Sequence, residues 1–232
     1  MNTLRDMYTS TLLLGACFFM PLELSLLQPQ AQADSILRAE VPLALSSFGS
    51  QVKIHKDLLL IAAKEYDNSK GMVQCVDLKT GETTSLTIQS PDLTDGKLGW
   101  YMAINEDYVV LSAPYETGGQ GSVYIGQRID GSVPSSFERI TSPDPAASDY
   151  FGRCVEIQNN RLFIGEPGDD LVTNNGGVLH TFVLDTDRGW IHEGRHAPEI
   201  QYANDFFPLE ISSTPEMVCV GTRYRKRNGY TQ

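Results

Sequence analysis

Four stretches decide how this chain folds. Phe48-Gly49 opens FGSQVKIHKDLLLIAAK, Leu98-Gly99 opens LGWYMAINEDYVVLSAP, Phe151-Gly152 opens FGRCVEIQNNRLFIGEP, and Phe207-Pro208 opens FPLEISSTPEMVCVGTR. Their starts are 50, 53 and 56 residues apart. A period in this range marks a repeat architecture, in which one supersecondary unit cannot bury its own apolar face and stacks on its neighbours. Each copy reads as four short strands. In the second, 98–104 is a first strand, Asn105-Glu106-Asp107 a tight turn, and Tyr108 to Ala113 a second strand ended by Pro114, which cannot donate to a ladder. A polar, Gly-rich loop covers 115–120. Gly121 opens a third strand, Asp130-Gly131 is a turn signal, and 137–141 is a fourth strand.

The second strands, LLLIAA, YVVLSA, RLFIGE and MVCVGT, are nearly continuous apolar runs, the pattern of strands covered on both faces. Small residues recur at their ends: Ala62-Ala63, Ser112-Ala113, Gly165 and Gly221. Small side chains there let backbones approach closely. No segment between strands carries helical periodicity, which excludes a parallel βαβ fold. A sandwich does not explain regular spacing together with recurring marks. The sequence therefore predicts an all-β fold: a β-propeller-like array of four-stranded antiparallel blades, three complete repeats and a partial fourth. Blade limits fall near 48–97, 98–150, 151–206 and 207–232, within a domain covering 34–232.

These residues resemble FG-GAP repeats, the units of the integrin α-subunit propeller and of many bacterial secreted proteins. The marks are Phe48-Gly49, Ala62-Ala63 and Gly71; Leu98-Gly99, Ala113-Pro114 and Gly121-Ser122-Val123-Tyr124; Phe151-Gly152, Gly165-Glu166-Pro167 and Gly177; and Phe207, Val220-Gly221 and Gly229. The resemblance implies a secreted or cell-surface recognition module, as in cell adhesion. Many such repeats carry a calcium loop between the first and second strands. Here that connection is His55-Lys56-Asp57, Asn105-Glu106-Asp107, Gln158-Asn159-Asn160 or Thr214-Pro215-Glu216. Calcium takes about six to eight oxygens, which such turns do not supply. Family propellers commonly have seven blades. This chain is read either as a fragment or as a small ring closed by 35–47, whose sequence aligns with the fourth-strand region. An open array leaves edges free for self-association.

Ahead of the repeats, Leu12 to Leu27 is mostly apolar and Ala31-Gln32-Ala33 has the form of a signal-peptidase site, so 1–33 is read as a signal peptide. Pro21 and Glu23 interrupt the run, which argues against a transmembrane helix. Leu14-Gly15-Ala16-Cys17 supports a second reading, a lipid anchor at Cys17. Both readings place the protein outside the cytoplasm. A net charge of −11 argues against nucleic acid as a partner. Cys75, Cys154 and Cys219 lie in strands among apolar neighbours and are read as small hydrophobes, with a Cys154–Cys219 contact conceivable.

His192-Glu193-Gly194-Arg195-His196 matches the H-E-x-x-H zinc motif, which works on a helix. Here it falls in a strand, where residues four apart stand about 13 Å apart, so the two histidines are not expected to share an ion. Gly168 to Gly176 is the densest oxygen-rich loop and is read as a solvated turn. No nucleophile elbow or phosphate loop is found, and the inner strands read as apolar. The sequence thus assigns no catalytic residue, no metal ligand and no cofactor. It points to a binding face built by the loops 64–70, 115–120, 168–176 and 223–228, with Tyr66, Asp67, Tyr115, Glu116, Asp169, Asp170, Arg223 and Arg225 as binding residues. The expected partner is an extracellular protein or glycan. The alternatives are a propeller-type hydrolase and a degenerate fragment without activity of its own.

Overall fold

Tight turns close each repeat into a sheet of its own. A computed structural model describes residues 46–88 and 93–222. The first repeat forms β1 (Phe48–His55), β2 (Leu58–Ala63), β3 (Met72–Asp77) and β4 (Thr83–Leu86). The second forms β5 (Met102–Ile104), β6 (Tyr108–Ala113), β7 (Ser122–Gln127) and β8 (Glu138–Ile140). The third forms β9 (Val155–Gln158), β10 (Arg161–Glu166), β11 (Val178–Asp185) and β12 (Gly189–His196). Each set is a four-stranded sheet whose neighbouring strands follow chain order and pair antiparallel. β13 (Glu210–Thr214) and β14 (Met217–Gly221) make a two-stranded sheet. This is the expected all-β array of three complete blades and a partial fourth. The expectations for 1–33, for the closing strand at 35–47 up to residue 45, and for 223–232 lie outside the described residues.

Side chains that read as turn formers close the hairpins. Asn105 Oδ1 accepts the N–H groups of Asp107 (3.0 Å) and Tyr108 (2.8 Å). Asp77 and Asp185 do the same for the turns before the fourth strands. β2 and β6 are buried along their whole length, and β10 beyond its first residue. Alternate residues of these strands serve alternate neighbours. Leu58, Leu60 and Ala62 join Val109 and Leu111 in one core between the first and second blades. Tyr108 and Val110 join Leu162 and Ile164 in the next, and Phe163 joins Ile211 beyond it.

The recurring Phe-Gly and third-strand Gly marks turn out to be one device. Leu98 N–H donates to Lys70 O, Phe151 N–H to Gln120 O, and Phe207 N–H to Gly176 O. Leu98 and Phe151 are fully buried and form parallel bridges to Gly71 and Gly121. Gly71 and Gly121 have φ of +85° and +82°, and an added Cβ would lie 2.3 Å from Leu98 O and 2.2 Å from Phe151 O. Each blade is thus pinned to the start of the next.

Two expectations need correction. β5 begins at Met102, not Leu98, because 98–101 is spent on docking: Gly99 N–H donates to Ser112 O and Tyr101 N–H to Ser112 Oγ. Cys75 and Cys154 are buried, whereas Cys219 is exposed. It lies on an exposed face of β14 with Met217, and its Sγ contacts Met217 Sδ at 3.6 Å rather than Cys154.

Candidate functional site

The loops that follow the second strands lie against the segments that enter the next blade. Lys97 N–H donates to Ser69 O, and Tyr115 N–H to Gly96 O. Tyr150 N–H donates to Gly119 O, Gly168 N–H to Asp149 O, and Phe206 N–H to Asn175 O. These bonds place 64–70, 115–120 and 168–176 at the same end of their sheets, as the strand reading expects. The first two loops turn tightly because their middle residues wind left-handed: Asp67, Asn68 and Thr117 all have positive φ.

At the junction of three blades this end gathers rings and cations. The Trp100 and Tyr115 centroids are 4.9 Å apart, edge to face, and Tyr150 lies 5.3 Å from Tyr115. Lys64 Nζ sits 4.2 Å from the Trp100 centroid and the Arg153 guanidinium 4.7 Å from it. Lys97 Nζ is 5.2 Å from the Tyr115 centroid and is shared with Glu65 at 3.1 Å. Each cation over a ring contributes about 0.5–1 kcal/mol at an exposed site. Among the described residues, Lys64 and Arg153 have no carboxylate within ion-pair distance. Arg153 also lines a hollow of about 250 Å³ with Leu209, Glu210, Gly221 and Thr222.

The opposite end is different. A groove of about 610 Å³ there has Lys56, Asp57, Lys79, Glu106 and Arg128 in its walls. Its lysines are paired, Lys56 with Glu106 (2.5 Å) and Lys79 with Asp57 (2.5 Å), and Asp77, Asp107 and Asp130 add further acid to the walls. Arg128 is spent on the carbonyls of Asn105 and Gly131, both at 2.6 Å.

Under the loops lie buried polar groups in matching places. In the second blade, the carboxylate of fully buried Glu116 accepts from the Tyr124 hydroxyl (2.9 and 3.0 Å) and lies 3.2 Å from Arg139 Nη2. Tyr124 and Arg139 face each other across β7 and β8. His180 and Arg195 face each other at the same place across β11 and β12. There Asp169 pairs with Arg195, and Glu166 Oε2 lies 2.6 Å from His180 Nε2 and accepts from Ser142 Oγ at 3.0 Å. His180 Nδ1 is 3.1 Å from His192 Nε2. Burial raises Glu166 to about 8 and lowers His180 to about 4. Asp149 beside them is raised to about 6, by burial first and then by the Glu166 charge.

A family model for the FG-GAP repeat matches residues 135–182. The chain carries an FG-GAP repeat. The matched stretch runs from just before β8 into β11, and so contains Phe151-Gly152, Glu166-Pro167, Asp169 and His180, but not His192 or Arg195. FG-GAP repeats form β-propellers, in keeping with the stacked sheets. No curated protein matches the chain. The connections between first and second strands are hairpins of two or three residues, without room for the calcium loop. No helix among the described residues is long and apolar enough to cross a membrane.

Of the binding residues expected from sequence, Tyr66, Asp67, Tyr115 and Asp170 are at least partly exposed at the loop end. Asp67 pairs with Lys70 at 2.8 Å. Glu116 and Asp169 are corrections. They are 0% and 3% exposed, because each turns inward to an arginine of its own blade. Arg223 and Arg225 lie outside the described residues. The expectation of purely apolar inner strands also fails at Glu166 and His180. The sequence reading missed Lys64, Trp100 and Arg153. Aligning the residue after each Phe-Gly mark gives Ser50, Trp100, Arg153 and Leu209, and the contact of Trp100 with Arg153 shows that this variable position meets its counterpart in the next blade.

The H-E-x-x-H stretch is a strand, as expected. Thr181 faces Gly194 and Phe182 faces His192, so Glu193 is the extra residue of a bulge. The bulge turns His192 to the side of His180, while His196 Nε2 lies 3.2 Å from Thr181 Oγ1 on the other face.

Proposed function

We propose that this chain is an extracytoplasmic recognition module that holds an acidic glycan or an acidic protein surface on the loop end of its blades, and that it works without catalysis. One observation carries this reading: Lys64 and Arg153 stand over Trp100 beside Tyr115, neither in ion-pair contact with a carboxylate among the described residues, on a chain of net charge −11. Such a spot suits an anionic group, because cations beside aromatic rings offer charge complementarity together with ring contact. A recognition role also suits a repeat whose differences lie in loops on a stacked scaffold. The hydrolase alternative is weakened by burial. Glu166 and His180 are fully buried and so out of a substrate's reach, and the exposed His55–Glu106 contact shares its carboxylate with Lys56.

The test is an array carrying neutral, carboxylated and sulfated glycans beside acidic peptides, probed with wild type and with a Lys64→Glu/Arg153→Glu variant. The reading expects retention on one anionic class and its loss in the variant. Retention that is unchanged by the double reversal, or confined to neutral ligands, refutes it.

A further inference from the structure

The second and third blades place the same kinds of group in the same positions, but their charges do not match. In the second blade one acid, Glu116, meets one arginine, Arg139, and one hydroxyl, Tyr124. In the third, Asp169 takes the place of Glu116, Arg195 that of Arg139, and His180 that of Tyr124. A second acid is then added. Glu166 ends β10 where β2 and β6 end in the fully buried Ala63 and Ala113. The fold needs only a methyl group there, as two blades demonstrate. Burying a carboxyl group instead is costly unless it is compensated. Arg195 is already committed to Asp169, and among the described residues Glu166 Oε1 has no hydrogen-bond partner although its residue is fully buried. With both carboxyl groups ionised, the third blade is short of one cation.

We propose that Glu166, Asp169 and His180 bind a divalent transition-metal ion of the zinc class between the second and third blades. Their donor atoms all lie within 4.8 Å of one another. Shifts on the order of an ångström bring them to about 2.0–2.2 Å from a common centre. One imidazole nitrogen and two carboxylates are a zinc-type donor set. Calcium is disfavoured, since it takes about six to eight oxygens. The supporting groups are those of a metal centre. His192 Nε2 stands 3.1 Å from His180 Nδ1 and fixes the ring so that Nε2 faces the carboxylates. Ser142 Oγ donates to Glu166 at 3.0 Å, and Arg195 and the Leu171 N–H hold Asp169. Phe151 packs on the His180 ring, with centroids 5.3 Å apart, and keeps the centre dry on that side. The ion would tie β10, its loop and β11 to the chain leaving β8. It is structural, and is independent of binding at the loop end.

The test uses the full chain without a histidine tag, stripped with chelator and dialysed against zinc, with bound metal measured by elemental analysis. Cobalt in parallel reports tetrahedral coordination by its visible absorption. The expected result is one zinc per chain and a raised melting temperature, in wild type and in His196→Ala alike. Both effects are lost in Glu166→Ala, which restores the residue of the other two blades, and in Glu166→Gln, which keeps the shape but not the charge. Circular dichroism establishes that the variants are folded. Wild type without stoichiometric zinc overturns the proposal, as does zinc that survives both Glu166 variants or is lost in His196→Ala.

Discussion

Gly121→Ala tests why glycine recurs at the start of the third strand. Two costs add. Gly121 has φ of +82°, where an L-residue is disfavoured by about 1–2 kcal/mol. Its new Cβ would also lie 2.2 Å from Phe151 O and 2.7 Å from Phe151 N, both backbone atoms that no rotamer change can move. Relief means parting the bridge and its Phe151 N–H to Gln120 O bond, another ~0.5–1.5 kcal/mol, and loosening the fully buried Phe151 ring. The two costs together come to about 1.5–3.5 kcal/mol, before any loosening of the Phe151 ring. Gly118→Ala is the matched control. Its φ is +68° and nothing lies within 4 Å of the added Cβ, so it carries the first cost alone. Urea unfolding of both variants followed by tryptophan fluorescence reads the difference, with the larger midpoint shift expected for Gly121→Ala. Equal shifts would refute the claim that close approach between blades fixes this glycine.

Tyr124→Phe removes the hydroxyl that donates to buried Glu116, and denaturation should show a loss of about 1.5–3 kcal/mol; a change near zero contradicts the assigned bond. For metal-free protein, the raised carboxyl of Glu166 means the native chain holds this proton more tightly than the unfolded one, so stability present at low pH is lost as pH rises towards about 8. Asp149 acts in the same sense only up to about 6, and the lowered His180 acts in the opposite sense only between about 4 and its ordinary 6.5. Melting temperatures should therefore fall between pH 6.5 and 8, and Glu166→Gln should flatten that slope. Alkylation of native protein with peptide mapping should label Cys219 and spare Cys75 and Cys154, whose thiols burial pushes up to about 12.

The blades were legible because their rules are local. Doubly covered strands read as apolar runs, and Asn105, Asp77 and Asp185 close turns within two or three residues of themselves. The spacing of Phe-Gly and third-strand Gly was legible too, although its reason is a contact between Gly121 and Phe151 that only stacking creates. The site was less legible, because side-chain direction at the loops depends on the neighbouring strand. Glu116 and Tyr115 are adjacent, yet Tyr115 reaches Trp100 while Glu116 turns inward to Arg139. A charged loop residue read from sequence defaults to solvent, and it takes the register Tyr124↔Arg139 to show otherwise. Glu166 was hidden for a related reason: it continues an apolar strand, and it stands out only when aligned against Ala63 and Ala113.

The most direct test of the central claim, recognition at the loop end, is a calorimetric titration of the anionic ligand class retained on the array. Wild type, Tyr115→Ala and Glu106→Ala would be compared at low and physiological salt. The account predicts that Tyr115→Ala weakens binding by at least about tenfold, roughly 1.4 kcal/mol, in protein that circular dichroism shows is still folded although its melting temperature falls with the loss of the Trp100 and Tyr150 ring contacts. It predicts that Glu106→Ala, at the opposite end, binds as wild type does. Binding that survives Tyr115→Ala and is lost in Glu106→Ala would contradict it.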